Sequence, residues 1–262
     1  MEYLIKSLPE IEKKMRSYPG CMLMLDFDGT LSALAKTPAQ AFLAEKNKMV
    51  LQLISRLAPV AIVTGRSLKD IKHKVGLKKN IYAGNHGLEW EIDCKRGGIK
   101  IPTKMVVAVN FLNKQLSNLC RKYHGALLEN KHMGLSLHYR LVKTHLVDKL
   151  LKEAMQLVVP FQKKQLLKIT KGKKLLDVRL ALSWNKGDFV KFLHKKLGKD
   201  LLPIYIGDDV TDEDVFNILR PGITIQVAKN SNSKAKYYCN NTVEVSLFLS
   251  WFLNKLRSTK KH

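Results

Sequence analysis

Two carboxylates, Asp26 and Asp28, follow directly after a short apolar run, Cys21 to Leu25, and stand just before Gly29. An apolar run of this length that ends in a turn signal is typical of a buried parallel strand. In open α/β sheets, ligands bind just beyond the carboxyl ends of such strands. Because buried acids need a cationic partner, the pair indicates a site for a hard divalent metal ion.

The same residues have a simpler interpretation as a turn. Gly29 suits a positive φ angle, and Thr30 is a residue type that caps a following helix. The choice between the two interpretations depends on whether other reactive side chains follow other strands of the same sheet.

Further polar side chains do follow apolar runs elsewhere in the chain. These are Thr64 after residues 59–63, Asp208, Asp209 and Asp212 after residues 202–206, and Lys186 in the sequence Trp184-Asn185-Lys186-Gly187-Asp188. Carboxylates from separate strands can share one Mg²⁺, which also accepts a substrate phosphate. A hydroxyl and a lysine would then bind phosphate oxygens. A nucleophilic aspartate would form an aspartyl-phosphate, which divides a difficult hydrolysis into two easier steps.

The elements that must position these residues alternate along the chain. Apolar periodicity predicts helices over about 45–57 and 68–75. Short apolar runs predict strands over 59–63, 81–87, 202–206 and 223–227, in addition to the run that precedes Asp26. This alternation predicts an α/β fold with a central parallel sheet and crossover helices.

The middle of the chain has a different pattern. It predicts helices over 106–123 and 144–158 and strands over 135–139, 166–169 and 175–178. This order favours a smaller α+β unit with an antiparallel sheet over 101–182, inserted into a core formed by 1–100 and 183–262. Lys104 to Arg179 contains sixteen basic and four acidic residues. We therefore expect a cap that attracts an anionic substrate and acts as a lid.

Composition narrows the class of protein. The apolar runs are shorter than the roughly 18 residues that span a bilayer, and the first residues do not resemble a secretory signal. The four cysteines lack zinc-site spacing. We expect a cytoplasmic monomer with reduced thiols. The net charge of +24 is compatible with nucleic acid, a membrane surface or an anionic small molecule, but the lysines are dispersed, as on a solvated surface.

Four motifs together resemble the haloacid dehalogenase superfamily of phosphatases. In chain order they are Asp26-Phe27-Asp28-Gly29-Thr30, Thr64-Gly65-Arg66, Lys186, and the acidic stretch 207–214. The acidic stretch, together with 84–89, most resembles the trehalose-6-phosphate phosphatase family. Two stretches of the middle region, 129–140 and 171–179, resemble the cap motifs of that family.

The resemblance implies a Rossmann-like core and a role for each matching residue. Asp26 would be the nucleophile, and Asp28 would be the general acid and then the general base. The expected Mg²⁺ ligands are Asp26, the backbone carbonyl of Asp28, and Asp208, with Asp209 and Asp212 behind them orienting Lys186 or metal-bound water. The expected substrate-binding residues are Thr64, Arg66, Asn85, His86, Glu129, Lys131, His138, Tyr139, Arg140, Lys173, Asp177 and Arg179.

The resemblance also implies a substrate, trehalose 6-phosphate, with no specific nucleic-acid partner and no membrane span. One residue departs from the pattern, because Asp177 stands where the family usually carries glutamate. Other esters therefore stay open as substrates: sucrose phosphate, mannosyl-3-phosphoglycerate and glucosylglycerol phosphate. A different class also stays open, a basic protein that uses a phosphatase scaffold to bind nucleic acid or an anionic membrane surface.

Overall fold

The computed structural model describes residues 1–78, 80–172, 174–219 and 221–259. The chain forms two compact units. The first comprises Met1–Ala35, Ala39–Gly98 and Trp184–His262, and the second comprises Lys36–Pro38 and Ile99–Ser183. Each unit has its own sheet.

The strands of the described residues are numbered in chain order. They are β1 (Glu2–Tyr3), β2 (Cys21–Leu25), β3 (Val60–Val63), β4 (Ile81–Gly84), β5 (Glu89–Ile92), β6 (Lys95–Gly98), β7 (Leu127–Asn130), β8 (Gly134–His138), β9 (Leu167–Gly172), β10 (Leu175–Leu180), β11 (Leu202–Gly207), β12 (Ile223–Val227) and β13 (Tyr237–Cys239).

The α-helices are numbered in the same way. They are α1 (Leu8–Arg16), α2 (Glu45–Ile54), α3 (Leu68–Val75), α4 (Thr103–Lys122), α5 (Thr144–Lys163), α6 (Lys186–Leu197), α7 (Glu213–Ile218) and α8 (Thr242–Thr259). Short 3₁₀ turns span Pro38–Gln40, Asn85–Gly87 and Val210–Asp212. Within the described residues, no helix combines the length and the apolar character needed to cross a membrane.

The first unit contains a nine-stranded sheet with the order β1-β13-β12-β11-β2-β3-β4-β5-β6. Its strands pair in parallel from β1 to β4, and the hairpin β5–β6 continues the sheet in antiparallel fashion. The predicted α/β fold with a central parallel sheet is confirmed. The antiparallel edge was missed, because its turn depends on Asp93 and Cys94, which adopt positive φ angles of 50° and 61°.

Strand β2 lies between β11 and β3 and is buried along its whole length. Its side chains alternate between two apolar clusters: Leu23 and Leu25 pack into one, and Met22 and Met24 into the other. Burial on both faces explains why this strand is an uninterrupted apolar run. Because β2, β3 and β11 are parallel, their carboxyl ends lie at one edge of the sheet.

The helix-capping interpretation of Thr30 is wrong. The next α-helix after β2 begins only at Glu45, and Ala44 occupies its cap position. The part of that interpretation that concerns Gly29 holds, since this residue has a φ angle of 79°. The turn after β2 therefore serves a different purpose from starting a helix.

The second unit contains a four-stranded antiparallel sheet with the order β7-β8-β10-β9. Leu135 and Leu137 of β8 and Leu176 and Val178 of β10 are fully buried, and the inward residues of α4 and α5 are buried as well. Alternation along the strands sends the residues between them to the other face of the sheet. That face carries a row of polar side chains, Glu129, Ser136, Asp177 and Thr170, from four paired strands.

Candidate active site

The first reactive side chain at the edge of the large sheet is Asp26, which directly follows β2. Its backbone N–H donates to the carbonyl of Ile206 at 2.9 Å, so the residue continues the pairing of β2 with β11. Its Oδ1 accepts a hydrogen bond from the N–H of Phe27 at 2.7 Å. Its Oδ2 lies 2.9 Å from the Nζ of Lys186. The carboxylate is thereby held in one orientation within a buried site.

Lys186 is the first residue of α6 and is only 1% exposed. Asn185 and Asp188 form a reciprocal capping box that fixes this end of the helix. The ammonium group contacts Asp212 Oδ1 at 2.8 Å as well as Asp26. A buried ammonium is costly unless it is paired, and here two carboxylates from different loops pair with it.

Asp212 holds this cluster together and is fully buried. Its Oδ2 accepts the backbone N–H groups of Asp208 and Asp209 at 3.0 and 2.9 Å. Its Oδ1 accepts the hydroxyl of Tyr205 at 2.6 Å as well as Lys186. A Cβ on Gly207 would lie 2.3 Å from the Asp212 carboxyl carbon, so only glycine allows this approach. The side chain of Asp209 itself is exposed.

Three carboxylates meet at this edge of the sheet. Oxygens of Asp26, Asp208 and Asp212 lie within 4.8 Å of one another. A Cβ on Gly29 would lie 2.2 Å from the Asp208 carboxylate, which explains the glycine in this turn. Two of these acids, Asp26 and Asp212, contact Lys186, and the all-oxygen donor set of the three suits a hard divalent cation such as Mg²⁺. The residues present therefore fit a divalent metal ion.

The pKa shifts of Asp26 and Lys186 also favour a bound cation at this site. Burial raises the pKa of Asp26 well above its ordinary value, and the nearby Asp212 and Asp208 raise it further, while Lys186 opposes them. Burial alone would lower the pKa of Lys186, but Asp212 and Asp26 raise it above the ordinary value for lysine. A bound divalent cation would stabilise the ionised form of Asp26, the form in which a carboxylate can act as a nucleophile.

Asp28, two residues further on, lies in a different environment. Its two carboxylate oxygens accept hydrogen bonds from Nε and Nη2 of Arg66 at 2.6 and 2.7 Å. The buried hydroxyl of Thr64, at the end of β3, accepts the backbone N–H of Arg66 at 3.3 Å. The sequence predicts Arg66 as a substrate-binding residue, whereas the structure places its guanidinium on Asp28.

Asn85 and His86 follow β4, with positive φ angles of 50° and 59°. The N–H of His86 donates to the carbonyl of Thr64 at 2.9 Å, and a Cβ on Gly65 would lie 2.7 Å from its ring. The side-chain amide of Asn85 donates to Glu89 at 2.6 Å. This turn therefore packs against the end of β3, where Thr64 lies.

In the second unit, the polar face of the sheet carries a charged network around Asp177. This buried carboxylate accepts the hydroxyl of Ser136, lies 3.4 Å from Lys131 Nζ, and accepts Arg179 Nε at 2.6 Å. Beside it, His138 lies 2.9 Å from Glu129.

The remaining cap residues predicted from the sequence lie nearby in the chain. Tyr139 is partly buried and Arg140 is exposed, directly after β8. Lys173 lies outside the described residues.

Replacing Asp177 with Asn tests this network. The change removes the negative charge that Lys131 and Arg179 share in a largely buried setting, so we expect the free energy of unfolding to fall by about 2 kcal/mol. Urea denaturation measures the effect. The exposed Asp148→Asn is the matched control, with an expected change within about 0.5 kcal/mol. Equal stability of the two variants would show that the network contributes nothing.

Two residues of the site escaped the sequence reasoning. Tyr205 lies inside an apolar run, where its ring predicts only core packing, yet its hydroxyl reaches Asp212. Asp70 lies in the first turn of α3 and accepts Nη1 of Arg66 at 2.6 Å. The spacing of Arg66 and Asp70, i and i+4, is a signal that could have suggested their contact.

Comparison with known proteins agrees with this architecture. The family model described as trehalose-phosphatase matches residues 24–244. Trehalose-phosphate phosphatase B of Arabidopsis thaliana is 33% identical over 255 residues, which cover 91% of this chain and 67% of that protein. Probable trehalose-phosphate phosphatase 4 of Oryza sativa subsp. japonica is 31% identical and covers 94% of this chain and 69% of that protein. The chain thus spans about two thirds of the length of these relatives.

A solved structure supports the fold independently. The C-terminal domain of a C. albicans trehalose-6-phosphate phosphatase aligns with a TM-score of 0.82 and 21% identity, covering 97% of this chain and 98% of that chain. The chain therefore shares its fold with this structure. By its sequence, the chain belongs to the trehalose-phosphatase family.

Proposed function

We propose that this chain is a metal-dependent phosphomonoester hydrolase that converts trehalose 6-phosphate to trehalose and phosphate. The observation that carries the proposal is the contact of the buried Asp26 with Lys186 beside the acids Asp208 and Asp212. The family to which the chain belongs supports the choice of ester.

The reaction needs a cation because the nucleophile and the ester are both anions. We propose Mg²⁺ as that cation, held by Asp26 and Asp208 together with the backbone carbonyl of Asp28. When bound, it would offset the negative charge of the phosphoryl group. Lys186 supplies further positive charge at the same place, and Asp212 fixes the lysine through a 2.8 Å contact. Thr64 would donate its hydroxyl to a phosphate oxygen.

Asp26 and Asp28 then have different roles in the reaction. An oxygen of Asp26 bonds to phosphorus while the ester P–O bond breaks, and Asp28 donates a proton to the departing sugar oxygen. Water next attacks the phosphorus of the aspartyl-phosphate and gives its proton to Asp28. The Asp26 oxygen leaves phosphorus, so phosphate is released and both side chains regain their starting states.

We propose that the second unit, which contains the predicted insertion 101–182, is the substrate-specificity cap. Its polar sheet face supplies both acidic and basic hydrogen-bonding groups. They are Glu129, His138, Lys131 and Arg179. Such groups suit the hydroxyls of a sugar. We also propose contributions from Tyr139, Arg140 and Lys173, and from Asn85 and His86 of the first unit.

A panel of phosphate esters tests the function. Purified protein with Mg²⁺ is incubated with trehalose 6-phosphate, sucrose phosphate, mannosyl-3-phosphoglycerate and glucosylglycerol phosphate, and free phosphate is measured. We expect the highest kcat/KM with trehalose 6-phosphate. A higher value with another ester would reject the proposed substrate and retain the proposed reaction.

That second candidate, another sugar phosphate, has one observation in its favour. Asp177 is buried among Ser136, Lys131 and Arg179 and is shorter than the glutamate that the family pattern leads one to expect. The same panel decides between the two candidates.

Removal of the metal gives a further prediction. Incubation with a chelator should lower phosphate release by at least about 100-fold, because it removes the cation that would offset the negative charge of the phosphoryl group. Added Mg²⁺ should restore the activity. Asp208→Asn should raise the Mg²⁺ concentration needed for half-maximal activity, while the exposed Asp200→Asn leaves it unchanged. Full activity after chelation would contradict a metal-dependent mechanism.

We further propose that the protein is a cytoplasmic monomer that binds no specific nucleic acid. The net charge of +24 would produce weak, general attraction to polyanions. Binding to unrelated DNA duplexes should then vanish by about 0.2 M salt. Tight binding that survives this salt concentration would favour the nucleic-acid-binding alternative.

A further inference from the structure

Arg66 is buried, and its hydrogen bonds point to neighbouring acids. Its side chain is 6% exposed. Nε and Nη2 donate to the two oxygens of Asp28 at 2.6 and 2.7 Å, and Nη1 donates to Asp70 at 2.6 Å. The guanidinium also lies 5.4 Å from the ring centre of Phe27. These contacts hold the guanidinium group of Arg66 in one plane and one orientation.

The contact with Asp70 connects the Arg66 guanidinium to α3. Asp70 lies in the first turn of that helix, and its N–H donates to the capping hydroxyl of Ser67 at 3.3 Å. The backbone N–H of Arg66 donates to Thr64 at the end of β3. Arg66 thus links Asp28 to two regular elements, β3 and α3.

Asp28 needs such support more than its neighbour Asp26 does. Asp26 is buried and fixed by Phe27 and Lys186, whereas the Asp28 side chain is 36% exposed and is followed by Gly29. A half-exposed carboxylate can occupy several rotamers of similar energy. Proton transfer requires one geometry, within hydrogen-bond reach of the reacting oxygen.

We propose that Arg66 is a positioning residue. Its two hydrogen bonds to Asp28 orient that carboxylate for proton transfer, and its hydrogen bond to Asp70 holds the guanidinium in place. This inference rests on the proposed function, in which Asp28 transfers protons to and from the reacting oxygens. The substrate-binding role that the sequence predicts for Arg66 is the alternative that the experiment below distinguishes. A bidentate fork fixes both oxygens of a carboxylate, which the single ammonium of lysine cannot do.

The test is a series of phosphate esters with graded leaving groups, none of them a trehalose ester. An alkyl phosphate needs a proton on its leaving oxygen, whereas p-nitrophenolate leaves without one. For Arg66→Lys, we expect kcat/KM to fall about 10- to 100-fold with alkyl phosphates and less than about 3-fold with p-nitrophenyl phosphate. The kcat values should fall with both, because Asp28 also activates water in the shared second step.

A double-mutant cycle separates positioning from substrate binding. In the Asp28→Asn background, Arg66→Lys should lower kcat/KM by less than about 2-fold, because the group that it positions is already inactive. A loss that is equal for all leaving groups, or that persists undiminished in this background, would overturn the proposal and support direct substrate binding.

Two further variants keep the test valid. Asp70→Asn weakens the contact that holds the Arg66 guanidinium without changing Arg66 itself. We expect kcat/KM to depend on the leaving group in the same way but with a smaller loss, about 3-fold with alkyl phosphates. If thermal denaturation shows that Arg66→Lys does not fold, the result for Asp70→Asn decides between positioning and substrate binding. The exposed Lys69→Gln is the control, with unchanged kinetics. If wild-type protein cleaves this series but not trehalose 6-phosphate, the proposed substrate fails and the role of Arg66 is still measured.

Discussion

Asp26→Asn is expected to reduce phosphate release by at least about 10⁴-fold while leaving the protein folded. The amide has the shape of the carboxylate but cannot form the acyl-phosphate. When Asp26 is replaced, the buried ammonium of Lys186 keeps its contact with Asp212 as a counter-charge. Removing one charge should therefore leave the melting temperature within a few degrees of the wild-type value.

Phosphate release and thermal denaturation measured on the same preparation check this result. The matched control is Asp200→Asn, which makes the same chemical change at an exposed position between α6 and β11. We expect the control to keep full activity. Substantial turnover by Asp26→Asn would mean that another group attacks phosphorus.

Lys186→Met should affect activity and stability together. The ammonium lies 2.9 Å from Asp26 and 2.8 Å from Asp212, and it is buried with them. Its loss leaves two neighbouring carboxylates without this counter-charge, so we expect the free energy of unfolding to fall by about 3 kcal/mol in the presence of a chelator. We expect kcat/KM to fall by about 10³-fold, because the same ammonium would stabilise the phosphoryl group in the transition state.

Metal ions separate the two effects of this substitution. A divalent cation supplies counter-charge to the acids and should recover part of the lost stability, but it cannot replace the lysine on the phosphoryl group. The exposed Lys195→Met, on the same helix, should change neither quantity appreciably. Normal stability of Lys186→Met without metal would show that the buried pairs do not matter for folding.

Much of the large sheet could be predicted because its strands obey a simple rule. A strand buried on both faces must be apolar throughout, so β2 and β11 stand out, and the polar residues that follow them mark the strand ends. Parallel pairing then brings Asp26 and Asp208 to the same edge of the sheet. The closeness of their carboxylates therefore follows from local patterns and one topological rule.

The contacts of long side chains could not be predicted in the same way. The pairing of Arg66 with Asp28 depends on a guanidinium that turns back toward the neighbouring strand end, and no periodicity encodes that direction. Tyr205 was missed because an aromatic residue in an apolar run predicts packing and says nothing of its hydroxyl. Short elements with little burial, such as the exposed strand β6, also lack a hydrophobic signal.

Asp177 illustrates a third limit of sequence reasoning. A family pattern predicts a sugar contact at this position, but the distances place the carboxylate among Ser136, Lys131 and Arg179. Which groups a carboxylate binds depends on neighbours from β8, from β10 and from the turn between β7 and β8, and the strand register is fixed only in the folded sheet. The ester panel, rather than the pattern, will show what this substitution does to specificity.

Trapping the covalent intermediate tests the central claim most directly, namely that Asp26 itself attacks phosphorus. Protein mixed with the ester and Mg²⁺ is quenched in acid within the first turnover, reduced with borohydride and digested for mass spectrometry. An acyl-phosphate is converted by this treatment to an alcohol, so we expect homoserine in place of aspartate at position 26 only. Homoserine at another acid, or unmodified Asp26 in a sample that releases phosphate at the normal rate, would contradict the mechanism.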